Sequence, residues 1–348
     1  MASNTSNFAK LVAASLRHEN FTLIDIGCAG GIASVWRAFS PRLEVLAIDA
    51  SVSECQRLAA QETLPNIEYI AAFAGIGEDH PFAVRRGGRP DASRNPWQRL
   101  STSSTVTRRE AQLKVASDEE KIHQSSWWLT KTADPTQPVV VPDLLRSRNM
   151  MNVDFLKVDT DGNDFAILNS FDASLGPFGV LGALLEVNFC GSASDTDRTF
   201  HNVDRFMKAH GFEIFDLSVR RYSAAALPAR YELDFPAQTV RGRILQGDAL
   251  YVRDWAAPEW ADAARSASPE KILKLAAIFA VHGLPDCAAE IVIAHKDRLN
   301  DLLDVGEALN VLAAQSQEGT PVPLSYAKYL KAFEADAPSF YPPRMRKI

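Results

Sequence analysis

Cysteine is scarce in this 348-residue chain, and its four residues, Cys28, Cys55, Cys190 and Cys287, follow neither a paired nor a metal-knuckle spacing. That argues against a disulfide framework or structural zinc and for reduced, mostly buried thiols. A surplus of positive charge is missing too, since 43 acidic side chains outnumber 37 basic ones for a formal net charge of −6. A protein that holds nucleic acid through a generally basic surface is thereby excluded, and no nucleic-acid partner is expected. Long apolar runs are also lacking. The longest, Gly179 to Val187, is far short of the roughly 20 residues that span a bilayer, so no integral membrane segment is expected. The N-terminus has no basic stretch, and Leu11–Leu16 is too short for a signal-peptide core; a cytoplasmic protein is the expectation.

What is present is alternation. Short β-like apolar runs occur at Phe21–Ile26, Leu43–Ile48, Ile67–Ala72, Val153–Val158, Val180–Val187, Glu213–Leu217 and Ile244–Val252. Helical segments fit between them at Ile32–Phe39, Val52–Gln61, Pro142–Arg148, Asp164–Phe171 and Thr199–His210. Such alternation predicts an α/β fold, a Rossmann-like, doubly wound, mostly parallel sheet of seven strands. Several runs are apolar without strict alternation, as strands covered on both faces should be.

Between Arg85 and Lys131 the alternation stops, and ten Lys or Arg face five Asp or Glu, a local charge of +5. This basic insertion, residues 85–137, reads either as a solvated surface loop or as an acceptor-binding cap. After Trp255 the pattern turns helical, starting with Ser268-Pro269-Glu270, an N-cap followed by proline at the first helical position. Ile272, Leu275, Ala276, Phe279 and Ala280 keep helical spacing until Gly283 can end the helix. The expected division is a domain over 1–256 carrying the insertion and a small all-helical appendage over 257–348.

The sharpest motif is Asp25-Ile26-Gly27-Cys28-Ala29-Gly30-Gly31, where an apolar strand runs into a glycine-rich turn ahead of a helix. Glycine there allows positive φ and close approach of backbone to ligand. Asp25, at the strand end, could accept hydrogen bonds from a ligand's ammonium or from the loop's own amides. Asp49, followed by Ala50, ends the next strand 22 residues after Gly27, where an acid can grip a ribose diol. A dinucleotide fingerprint, G-x-G-x-x-G, wants its middle glycine where Ala29 stands. The spacing of Asp25, Gly27 and Gly31 instead resembles motif I of class I S-adenosylmethionine-dependent methyltransferases, with Asp49 in the place of their ribose-binding acid.

The second motif is Val153-Asp154-Phe155-Leu156-Lys157-Val158-Asp159-Thr160-Asp161-Gly162-Asn163-Asp164, an apolar strand delivering Asp159 to its carboxyl end before an acidic turn and a helix. In open α/β sheets the ligand crevice lies outside those ends. This stretch resembles the signature of the FkbM-type methyltransferases, with Asp161 and Asp164 where that family commonly has glutamates. Leu184-Leu185-Glu186-Val187-Asn188 and the Ser101–Thr105 cluster are similar as well, so the resemblance covers about residues 20 to 252. It implies S-adenosyl-L-methionine as cofactor, with Asp25, Gly27, Cys28, Ala29, Gly31, Asp49 and Ala50 around it. It also implies O-methylation of a sugar, glycan, glycolipid or secondary-metabolite hydroxyl.

An alcohol is hardly ionised at neutral pH, so a base that takes its proton as the new bond forms adds about 10²–10⁴-fold. Asp159 is the first candidate; Asp161, Glu186, His123 and His201 compete. Asp159 and Asp161 could alternatively share a divalent ion such as Mg²⁺, while Asp164 reads as a helix cap. His123 beside Trp127 and Trp128 would suit a sugar ring, or the tryptophans form a small satellite core. His201 and His210 read as surface or cap residues. Arg220-Arg221-Tyr222, with the basic insertion, leaves room for a phosphorylated acceptor. Two rival functions stand beside this one, an NAD-dependent oxidoreductase and a non-catalytic assembly protein that keeps the fold.

Overall fold

The structure is a computed structural model that describes residues 6–75, 138–160, 163–189, 195, 198–222 and 243–340. Seven strands form one sheet: β1 (Phe21–Ile26), β2 (Leu43–Asp49), β3 (Ile67–Ala71), β6 (Phe155–Val158), β7 (Gly182–Asn188), β8 (Glu213–Tyr222) and β9 (Arg243–Val252). Their order is β3-β2-β1-β6-β7-β9-β8, with β9 antiparallel to both of its neighbours. A separate parallel pair is formed by β4 (Phe73–Gly75) and β5 (Pro138–Val140). The basic insertion, 85–137, lies outside the described residues.

The fold is therefore the α/β, doubly wound, mostly parallel seven-stranded sheet that the sequence predicts, and β1 shows why it centres where it does. Every residue from Phe21 to Ile26 is buried, as a strand between two neighbours and beneath covered faces must be. Side chains alternate across the sheet. Ile24, Ile26, Leu156, Val158, Leu185, Val187, Ala249 and Tyr251 enter one apolar core with Val141, Leu145, Ile167, Phe171, Val203 and Met207 from the helices α3 (Val141–Ser147), α4 (Asp164–Phe171) and α5 (Phe200–Ala209). Asp25, Lys157, Glu186 and Asp248 sit at the positions in between, on the opposite face.

Strand β8 runs on to Tyr222, past its expected end at Leu217, and another element departs in kind. The segment after the glycine loop is a short 3₁₀ helix, Ser34–Phe39, instead of an α-helix from Ile32. Gly30 and Gly31 hold positive φ, and Pro41, which lacks a backbone N–H, follows two residues after Phe39, leaving too few residues for an α-helix of useful length.

The chain divides into two compact units: residues 22–32 with 45–253, and residues 1–21 and 33–44 with 254–348. In the second unit the N-terminal helix α1 (Asn7–Ser15) and the 3₁₀ segment join the C-terminal helices. Phe21, Trp36 and Phe39 stack there at 4.0–6.3 Å, and His282 meets Trp36 edge-on at 5.4 Å. The expected helix is observed over Pro269–Val281, with Ser268 Oγ accepting from the Lys271 amide at 3.0 Å, and Gly283 follows at φ +77°. It is buried around its whole circumference over Glu270–Ala280. Its charged residues are accommodated by partners: Lys274 pairs with Glu19 at 2.7 Å and Glu270 accepts the amides of His18 and Glu19. Among the described residues no helix is long and apolar enough to cross a membrane.

Candidate active site

The glycine loop forms because strand β1 runs straight into it. Gly27, Gly30 and Gly31 have φ of +84°, +84° and +90°, a region that disfavours any residue with a Cβ. At Gly27 the constraint is double: a Cβ there would lie 1.8 Å from the carbonyl oxygen of Asp159. The loop thus leans directly on the end of β6.

Its amides are tied down from the β2 side. Gly27 and Cys28 both donate to the Ile48 carbonyl, at 2.8 and 3.3 Å, and Gly30 donates to Glu54 Oε1 at 2.9 Å. Asp49 accepts from the amides of Ser51, at 2.8 Å, and of Ala29; burial, opposed by these bonds, leaves its carboxyl above the usual range. Glu54 follows the N-cap Ser51 of helix α2 (Val52–Gln61), so one turn of chain after β2 supports the loop. Ala50 is half-buried between them, and Ala29 and Gly30 are exposed at the loop's tip. Cys28 and Cys55, far apart in sequence, meet through a hydrogen bond, which with burial pushes the Cys28 thiol up. Both are free thiols, as is Cys287, whereas Cys190 lies outside the described residues.

On the β6 side the decisive side chain is Lys157, which the sequence reading passed over. Its Nζ donates to the Gly27 carbonyl at 2.8 Å and lies 3.2 Å from Asp25 Oδ1 and 3.6 Å from Asp159 Oδ2. Burial works against its charge, but the carboxylates of Asp25 and Asp159 outweigh that and hold the ammonium above the ordinary lysine range. Asp25 is 3% exposed, and burial pushes its carboxyl up to about 6, against the pull of Lys157. Its Oδ1 lies in an ion pair without hydrogen-bond geometry. That buried oxygen can take an incoming donor.

Strand register then sets a row across the sheet. Ile26 faces Val158, Val158 faces Leu185, and Glu186 faces Asp248, so Gly27 and Asp159, just past β1 and β6, stand in one row with Glu186 and Asp248 inside β7 and β9. Asp159 keeps 43% of its side chain exposed. Glu186, 8% exposed, accepts from Gln246 Nε2 at 2.9 Å, and Arg220 reaches Glu186 at 3.6 Å and Asp248 at 3.0 Å. Burial raises the Asp248 carboxyl while Arg220 lowers it. Asp248, like Lys157, was missed. Its signal was there, a polar Gln246-Gly247-Asp248 interrupting an apolar strand.

The other predicted residues fall elsewhere. Asp161, His123, Trp127, Trp128 and the Ser101–Thr105 cluster lie outside the described residues. Asp164 is buried and accepts from the Thr160 amide and hydroxyl at 2.5 and 2.9 Å, closing the turn ahead of its helix. His201 is exposed beside Thr199, and His210 bonds the Phe206 carbonyl, so neither joins the row. Arg220 is engaged by two carboxylates. Among the described residues no group of three or more His, Cys, Asp or Glu is placed to hold a metal.

A strand-ordered sheet with a glycine loop after its first strand, an acid after its second and an acid beside the loop is the class I methyltransferase arrangement. The chain belongs to the FkbM methyltransferase family: the family model described as a methyltransferase FkbM domain matches residues 34–214, beginning just after the glycine loop and ending within β8. The NAD-dependent oxidoreductase reading is set aside by that membership. Solved structures similar to it include a TehB-like SAM-dependent methyltransferase from Corynebacterium glutamicum (12% identity, 71% of this chain and 86% of that one, TM-score 0.28). A precorrin-6y C5,15-methyltransferase from Geobacter metallireducens (10%, 70% and 86%, 0.28) and M. jannaschii TYW2 in complex with AdoMet (10%, 73% and 78%, 0.26) are also similar. None of the curated proteins matches the chain.

Proposed function

We propose that this methyltransferase uses S-adenosyl-L-methionine to methylate a hydroxyl of a small-molecule, sugar, glycan, glycolipid or secondary-metabolite acceptor. The observation that carries the proposal is the adjacency of Gly27 and Asp159, which sets an exposed carboxylate against the loop that would hold the donor. The residues fit that donor: three positive-φ glycines, a buried Asp25 oxygen suited to an ammonium, and Asp49 and Ala50 beside the loop, suited to a ribose. When bound, the sulfonium supplies an already activated methyl group.

The chain's own work is then alignment and proton removal. Holding donor and acceptor in line can contribute about 7–11 kcal/mol. Asp159 takes the hydroxyl proton, and Glu186, fixed by Gln246 and Arg220, stands as the next carboxylate in the row to receive further hydroxyls. Among the described residues, Asp159, Glu186 and Asp248 face Lys157 and Arg220, both already paired, which favours a neutral polyhydroxyl acceptor over a phosphorylated one.

The test is incubation with methyl-deuterated S-adenosylmethionine and a panel of monosaccharides, glycolipids and polyketide alcohols, with products read by mass spectrometry and NMR. The reading expects a deuterated O-methyl resonance on at least one neutral hydroxyl acceptor. Transfer to nitrogen or carbon only, by well-folded protein, would overturn it.

A further inference from the structure

Lys157 is one methylene-rich side chain whose ammonium meets three oxygens from three different parts of the site. It touches the Gly27 carbonyl of the loop at 2.8 Å, the Asp25 carboxylate of β1 at 3.2 Å and the Asp159 carboxylate at the end of β6 at 3.6 Å. Resting on the cofactor reading above, we infer that Lys157 is a positioning residue for methyl transfer, a single cation that locks the donor-binding loop to the strand end bearing the base.

The chemistry behind this is a charge balance. Buried carboxyls drift toward the neutral form, and a neutral Asp25 has no charge for a ligand ammonium. The groups facing Asp25 are Lys157, which favours its ionised form, and Asp159 and Asp49, which oppose it. Facing Lys157 are Asp25, Asp159 and Cys28, and Asp248 senses both Lys157 and Asp159 from β9. Lys157 is thus the only cation among these groups beside Asp25. One hydrogen bond to Gly27 and ion pairs to Asp25 and Asp159 also restrain it, so that Gly27 and Asp159 cannot separate without losing a contact. Lys157 acts through these groups and touches no reacting atom.

The test is calorimetric titration of the full chain with S-adenosylhomocysteine from pH 5 to 8 for wild type, Lys157→Met and Lys157→Arg, with folding checked by circular dichroism. Wild-type affinity should fall as pH drops through about 6, where Asp25 takes up its proton. Lys157→Met should bind at least about tenfold more weakly at pH 7, with the pH of half-loss moved up by about one. Lys157→Arg, which keeps the charge, should hold the wild-type pH profile. If Lys157→Met does not fold, Lys157→Gln replaces it with the same expectation. A Met or Gln variant with wild-type affinity and profile, or an Arg variant as impaired as Met, overturns the inference alone. No binding by wild type overturns the cofactor reading as well.

Discussion

The carbonyl oxygen of Asp159 occupies the place where a side chain on Gly27 would begin, 1.8 Å from an ideal Cβ. The loop and the strand end that carries Asp159 are therefore packed backbone to backbone. Gly27→Ala should lower stability by at least about 3 kcal/mol, because it adds a backbone clash to the cost of positive φ. Gly30→Ala meets open space at the same φ and should cost only about 1–2 kcal/mol. Urea unfolding of the two variants checks the difference; equal losses would mean that the contact with Asp159 is loose.

Asp25 makes the fold pH-dependent. Its carboxyl sits at about 6 when folded against 3.8 otherwise, so the folded state binds the proton more tightly. The resulting stability is full below about pH 4 and is lost as pH rises through about 6, a change of order 3 kcal/mol. Asp25→Asn should flatten that part of the stability profile and resist urea better than wild type at pH 8, while weakening S-adenosylhomocysteine binding. An unchanged slope between pH 4 and 7 would show that Asp25 is not the titrating group.

Asp159 is assigned a chemical task and little of the binding. Asp159→Asn should leave S-adenosylhomocysteine affinity within about threefold and slow methyl transfer at least about 10²-fold. Rapid-quench measurement on an accepted substrate reads this directly, and unchanged turnover would transfer the base role to Glu186 or Asp161.

Arg220 holds two carboxylates at once. Arg220→Ala leaves Glu186 without that cation and should cost about 1–3 kcal/mol, less than a fully buried pair because Arg220 is about a third exposed. Adding Glu186→Gln to that variant should recover part of the loss. Purely additive effects in denaturant titrations would mean that the pair is uncoupled.

The sheet was legible because parallel strands buried on both faces are written as apolar runs, and Val52–Gln61 and Asp164–Phe171 appear with the bounds that the pattern predicts. The loop and its acids were legible because glycine spacing and strand-end acids carry local signals. Lys157 was not, since one lysine in a strand says nothing of the three oxygens that topology gathers around it. The meeting of Cys28 with Cys55, and of β4 with β5, depends likewise on pairings between distant segments. The grouping of residues 33–44 with the C-terminal helices includes the edge-on meeting of Trp36 with His282, two residues far apart in sequence.

Calorimetric titration of wild type and Asp49→Ala with S-adenosylhomocysteine at pH 7.5 tests the central claim most directly. The account predicts saturable one-to-one binding by wild type, weakened at least about tenfold by removal of the carboxylate that would take the ribose hydroxyls. Folded wild-type protein that binds nothing, or an Asp49→Ala isotherm identical to wild type, would contradict it.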